Sequence, residues 1–164
     1  MTKISPSYAE GLIYYGDILT HIGRSRESLP YFDKAIRLTP NAPQLAFYRW
    51  LHAEALVHHG NFTDAEVSLV TANRMFRGKN QTLLHLLAGT QLRLGKKEEA
   101  KARLSESELL GERSISEDQA MWEFFSSDGG GELYQSMWAD LKSLAASASP
   151  WHRALRCKHG ASVR

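Results

Sequence analysis

The 164-residue sequence holds one cysteine, Cys157. A single thiol cannot close a disulfide within the chain, and it leaves no cysteine-based zinc site. That usage fits a reducing compartment, so the expected location is the cytoplasm. Long apolar runs are missing as well. The opening MTKISPSYAE has no stretch that reads as a signal peptide, and no window reaches the length of apolar run that spans a bilayer. A strong charge of either sign is also absent, with a net charge of +2. Even that small excess is local. From Ala146 onward Arg153, Arg156, Lys158 and Arg164 stand without an acid, so the body of the chain is mildly acidic and the tail alone is basic. A nucleic-acid binder concentrates basic charge on its folded part, and no nucleic-acid partner is expected here. What remains is ordinary: 43% hydrophobic and 23% charged residues, in a chain of one domain's length that can bury a core.

Against this plain background one pattern repeats. Small residues fall at Gly16, Ser28 and Ala35, twelve and then seven residues apart. The same intervals separate Ala53, Ala65 and Ala72, and again Ala88, Ala100 and Ser107. A glycine follows the first member of each set by seven residues, at Gly23, Gly60 and Gly95. A large apolar residue follows the second member by four, at Phe32, Leu69 and Leu104. Each spacing has a physical reading. The glycines end a first helix, because glycine takes the left-handed conformation beyond a helix terminus at no steric cost. Pro40 ends the second helix of the first unit, since it cannot continue the hydrogen-bond ladder. The small residues mark faces where two helix backbones come close, and the Phe or Leu fills the space beside them. Each unit is then a helical hairpin whose apolar face is complete only when another unit stacks on it.

The set Leu12, Tyr15, Gly16, Leu19, Ser28, Phe32, Ala35 and Pro40 resembles the tetratricopeptide repeat, which pairs W-x₂-L-G-x₂-Y with A-x₃-F and a final proline at a period of about 34 residues. The resemblance covers Tyr8 to Leu110, with units at about 8–42, 46–79 and 81–110. It departs from the pattern at Arg77, where proline is expected, and at Gln91, where an aromatic is expected. A short insertion lies near Asn41–Leu45. The fold this implies is all-α, a right-handed superhelix of three helical hairpins. Beyond it, SISEDQAMWEFF offers Ser116 and Gln119 as a capping box, followed by Ala120, Met121, Phe124 and Phe125 at helical spacing. Ser126–Gly131 reads as a turn. Leu133, Tyr134, Met137, Trp138, Leu141 and Leu144 predict an amphipathic helix over about 132–146. Residues 116–146 are therefore expected to cap the open face of the last hairpin, and 147–164 to form a basic, flexible tail.

Tetratricopeptide proteins usually hold an extended peptide or a helix in a concave groove lined by the first helix of each unit. The resemblance places Ile13, Asp17, Thr20 and His21 there from unit one, Phe47, Trp50, Glu54, Val57 and His58 from unit two, and His85, Gly89, Leu92 and Arg93 from unit three. Family members that grip an acidic chain terminus present Lys, Arg and Asn in this groove. Here Asp17 and Glu54 stand instead, with Arg93 alone at the far end, so the implied partner has apolar anchors and some basic character. Trp50 is the foremost contact residue by type, and packing between units is the other role open to it.

Catalytic and metal chemistry find little support. His58 and His59 are adjacent and so point to different helix faces, and no recognised metal-ligand spacing occurs. Asp17 and His21 are four apart, as a solvated polar pair would be. Gly129–Gly131 lacks the lysine and hydroxyl residue of a phosphate loop. No cofactor, no metal and no enzymatic activity are expected. The expected function is a non-catalytic protein-interaction module. A looser resemblance, carried by TPNAPQLAFYRW and FFSSDGGGELYQSMWADLKSLA, is to the repeat region that follows a cyclase or winged-helix domain in certain bacterial signalling proteins. It implies a regulatory piece of, or detached from, such a protein. Self-association through the uncovered end of unit one, giving a homo-oligomeric scaffold, is a further alternative.

Overall fold

The computed structural model describes residues 6–111, 113–125 and 131–148. Among these residues the chain is all-helical, with eight helices and no strand. They are α1 (Pro6–His21), α2 (Ser25–Leu38), α3 (Leu45–His58), α4 (Phe62–Met75), α5 (Gln81–Arg93), α6 (Lys97–Leu110), α7 (Ile115–Phe125) and α8 (Gly131–Ala148). Short links make α1 and α2, α3 and α4, and α5 and α6 packed pairs. Successive pairs join through α2 with α3 and α4 with α5. The first helices also touch in a row, α1 with α3 and α3 with α5, and this row forms one layer.

The turn between the helices of each pair is made the same way three times. Gly23, Gly60 and Gly95 take φ of 78°, 81° and 77°. The next residue then reaches back to close the helix end: Arg24 N–H donates to the Leu19 carbonyl at 2.8 Å, Asn61 to Leu56 at 2.9 Å and Lys96 to Gln91 at 2.9 Å. A side chain at these glycines would sit in a backbone region that L-residues avoid. After α4, where the tetratricopeptide pattern would have proline, the chain carries Arg77 and turns differently. Arg77 itself adopts φ 56°, and Gly78 N–H closes on the Asn73 carbonyl at 3.0 Å. After α2 the helix stops at Leu38, one residue before Thr39, whose N–H bonds the Ala35 and Ile36 carbonyls.

All nine small residues of the three sets are buried, together with Phe32, Leu69 and Leu104. The reason is close approach. A Cβ placed on Gly16 would stand 3.1 Å from the ring of Phe32, so the aromatic of α2 occupies the space a side chain on α1 would need. Ser28 fits the same contact because its hydroxyl is satisfied, donating to the Ser25 carbonyl and accepting from Thr20 Oγ1 at 3.0 Å.

Two apolar clusters share α3. Tyr48, Leu51 and Ala55 join Ala9, Ile13, Phe32 and Ala35 on one side. Ala53, Leu56 and Val57 join the larger cluster built from α4, α5, α6 and α8. A helix buried on two sides shows no single apolar stripe, which is why α3 and α5 read as apolar almost all round.

The C-terminal part differs from expectation in two ways. The capping box of α7 is Ser114 with Glu117, not Ser116 with Gln119. Glu117 N–H donates to Ser114 Oγ at 3.2 Å, and Ser114 N–H donates to Glu117 Oε2 at 2.6 Å. Both spacings satisfy the motif, and the earlier serine wins because the helix starts at Ile115. Second, α8 does not only close the last hairpin. It packs chiefly along α5 and also touches α3, α6 and α7. Its expected start at Glu132 becomes Gly131 and its end Ala148. The turn at 126–130 and the basic tail from residue 149 lie outside the described residues.

Enlarging a helix-contact residue is expected to overpack the core. Ala65→Leu and Ala100→Leu should each lower the unfolding free energy by about 1–3 kcal/mol, read as a drop in urea midpoint. Unchanged midpoints in both variants would mean that these faces do not meet.

Candidate functional site

In the layer made by α1, α3 and α5, α8 lies on α5 and α3. The stripe of α8 that meets it is Tyr134, Met137, Trp138, Leu141 and Leu144, all buried and spaced as one helix face. Two glycines let α8 approach. A Cβ on Gly89 would come within 3.0 Å of Met137 Sδ, and one on Gly60 within 3.1 Å of Leu133 Cδ2. At the end of α3, the His58 ring stacks on Tyr134 with centroids 4.2 Å apart and planes 15° from parallel. At the far edge Arg93 Nη1 donates to Asp140 Oδ2 at 3.1 Å and to Ser136 Oγ at 3.4 Å.

The residues singled out from the sequence separate into groups. Ile13 is fully buried among α1, α2 and α3 and offers nothing to a surface partner. Thr20 and Val57 are likewise buried. Phe47 and Trp50 are partly buried and meet edge to face at 5.9 Å, and Trp50 meets Phe76 beyond the end of α4 at 6.5 Å. Trp50 thus packs across the α3–α4 pair. Arg93 is engaged with α8, and Gly89 and Leu92 lie on the α5 stretch that α8 approaches. His85 turns to α7 instead: its Nδ1 stands 2.6 Å from Asp118 Oδ2, and Thr82 Oγ1 donates to the other Asp118 oxygen at 3.0 Å. His85 also lines a small cavity of about 190 Å³ between α5, α6 and the start of α7.

Four of the chosen residues do come together. Asp17 and His21 of α1 are both partly exposed, with His21 Nε2 3.3 Å from Asp17 Oδ1. Glu54 of α3 is only 1% exposed, and neither of its carboxyl oxygens has a hydrogen-bond partner among the described residues. His58 Nε2 is 4.0 Å from Glu54 Oε1, beyond hydrogen-bonding distance. Burial pushes the Glu54 carboxyl well above the usual carboxylate range, and the charge of Asp17 pushes it further. Above this pair sits Tyr134. Burial raises its hydroxyl well above the usual phenol range, Glu54 adds to the rise, and the Trp138 side chain partly opposes it. The arrangement is a buried acid with an acidic neighbour, two histidines and an aromatic lid from α8.

Sequence reasoning missed Asp118 and the role of Tyr134. Asp118 lies in the first turn of α7, where acids are common for helix-dipole reasons, so its burial carries no local signal. The one clue was His85, a titratable residue in an otherwise apolar helix that needs a partner. Among the described residues no group of three His, Cys, Asp or Glu side chains could hold a metal ion. No described helix is long and apolar enough to cross a membrane.

Comparison with protein-family models, with curated proteins and with solved structures finds no match to this chain. The site's meaning therefore rests on its own chemistry.

Glu54 gives a pH dependence with a definite sign. The unfolded chain releases this proton near the ordinary glutamate value of about 4.3, while the folded chain holds it to higher pH. Between the two values the folded state binds more protons, so the contribution is most favourable at low pH and is lost as pH rises toward the folded value. Glu54→Gln should flatten that slope. Its urea midpoint should match the parent at about pH 4.5 and exceed it at about pH 8. An equal offset at both pH values would show that Glu54 ionises normally in the folded chain.

Proposed function

We propose that this chain is a non-catalytic protein-interaction module of the tetratricopeptide type, working in the cytoplasm, which holds a peptide or helix of a partner protein against the layer of α1, α3 and α5. One observation carries the reading. That layer already takes an amphipathic helix, α8, with bare backbone at Gly89 and Gly60 where the helix comes closest. Surfaces that seat one helix by an i, i+3, i+4, i+7 stripe are the kind that seat others. The α1 share of the layer is the part left open to solvent, with Asp17 and His21 partly exposed. The non-catalytic reading is supported by His85 and Asp118, whose contact is spent on holding α7 to α5 with Thr82 as a third member.

A second reading, self-association, is favoured by α1. Tyr8, Tyr14, Tyr15 and Ile18 of this helix, and Ile22 just beyond it, are all exposed, and exposed apolar patches of that kind mark interaction surfaces.

The experiment is affinity capture from the native source with the full chain, compared with Asp17→Arg. The charge reversal at a partly exposed position should abolish recovery of at least one protein partner while leaving the thermal midpoint within a few degrees of the parent. Recovery of an identical set by both chains would contradict binding at this layer. Light scattering on the same samples decides the second reading: a monomer at high concentration removes it.

A further inference from the structure

Buried polar groups in folded proteins almost always have hydrogen-bond partners. Most buried polar residues of α5 follow that rule, although Gln91 leaves its side-chain carbonyl oxygen without a partner. Gln81 donates to the Ser107 carbonyl and accepts from Arg113 N–H, His85 meets Asp118, and Thr90 donates to the Leu86 carbonyl. Glu54 breaks it. Both of its oxygens are buried without a partner, and they lie at the place where an occupant of the layer would touch α3. The charge of Asp17 reaches Glu54 from α1. The ion-pair neighbours of these two acids among the described residues are histidines, His21 at 3.3 Å from Asp17 and His58 at 4.0 Å from Glu54. From α5, the set position matching Asp17 and Glu54 is Gly89, which brings no charge. From α8 the facing group is Tyr134, which stacks on His58 and gives Glu54 no hydrogen bond. The present occupant therefore meets the apolar demands of the layer and leaves its acidic demand unmet.

We propose that Glu54 and Asp17 together form the recognition point for a lysine or arginine on an amphipathic helix of a partner protein, which takes the place of α8 on the α3–α5 layer. The inference rests on the interaction-module reading and adds the chemistry of the partner. A cation between two carboxyl groups favours the ionised form of both and supplies the donors that Glu54 lacks. Arginine suits the place best, because its planar fork can donate to both oxygens of the Glu54 carboxyl. The apolar part of the partner follows the spacing of Met137, Trp138, Leu141 and Leu144. The basic position corresponds to Tyr134.

The test uses the full chain and three labelled 18-residue peptides with the sequence of Gly131–Ala148: the native sequence, Tyr134→Arg and Tyr134→Glu, with binding read by fluorescence anisotropy near neutral pH. The Tyr134→Arg peptide should bind at least about tenfold more tightly than the native-sequence peptide, as a close charge pair at a buried contact does. The Tyr134→Glu peptide should bind more weakly than the native-sequence one. On the Glu54→Gln, Asp17→Asn double variant the arginine advantage should fall to about twofold or less. If that variant fails to fold, Asp17→Asn alone, at a partly exposed position, should remove part of the advantage. Equal binding of the native and Tyr134→Arg peptides would overturn the basic recognition point while the module reading stands, since the layer would still exchange helices. An arginine advantage that persists on the variants would overturn it too, by placing the contact elsewhere. Binding by none of the three would overturn the exchange of α8, and the capture experiment with Asp17→Arg would then judge the module reading separately.

Discussion

At Gly89 the backbone of α5 carries no side chain, and Met137 of α8 rests where one would be. That approach brings the whole apolar stripe of α8 down on the layer. Tyr134 reaches His58 on α3, and Arg93 and Asp140 meet at the rim. It also leaves Glu54 in a dry setting, with its carboxyl raised by burial first and by Asp17 second. The chemistry of the candidate site thus depends on a steric fact, the absence of a Cβ on one helix. The rim pair adds little by comparison, because the Asp140 side chain is half exposed and such pairs contribute about 0–1 kcal/mol.

The same rule of close approach runs through the stack. Gly16 admits the ring of Phe32, and the alanines at 53, 65, 72, 88 and 100 are fully buried between helices. Dense packing of this sort leaves α3 and α5 covered on more than one side, and it makes each buried polar group a matter of individual geometry. Ten of the thirteen residues of α5 are buried, so its polar members must be met at close range: Gln81 by α6 and Arg113, His85 by α7, Thr90 by its own helix and Gln91 by Glu66 of α4. That requirement ties α7 to the body through His85, Asp118 and Thr82.

Much of the helical framework was legible because it rests on local, repeated physics. The seven-residue offset to Gly23, Gly60 and Gly95 predicts helix ends that glycine alone makes without strain, and all three take positive φ. The twelve-and-seven spacing predicts buried contact residues, and the nine positions are buried. The candidate site was legible only in part. Asp17, His21, Glu54 and His58 are brought near one another, whereas Ile13 is core, Trp50 packs on Phe76, and His85 faces Asp118. The stripe of α8 could be read from its spacing, but not where it would lie, because a stripe records that a face is buried and not against which neighbour. Ser114 and Ser116 show the same limit at smaller scale: two serines offered the same capping motif, and only the helix start distinguishes them.

The seat of α8 on α5 and α3 can be measured directly by amide hydrogen exchange on the full chain. The account predicts that amides from about Met137 to Leu144 exchange far more slowly than those of a free peptide, since they lie in one packed cluster with α5. Exchange of this stretch at the rate of a free peptide, with α3 and α5 still protected, would contradict it.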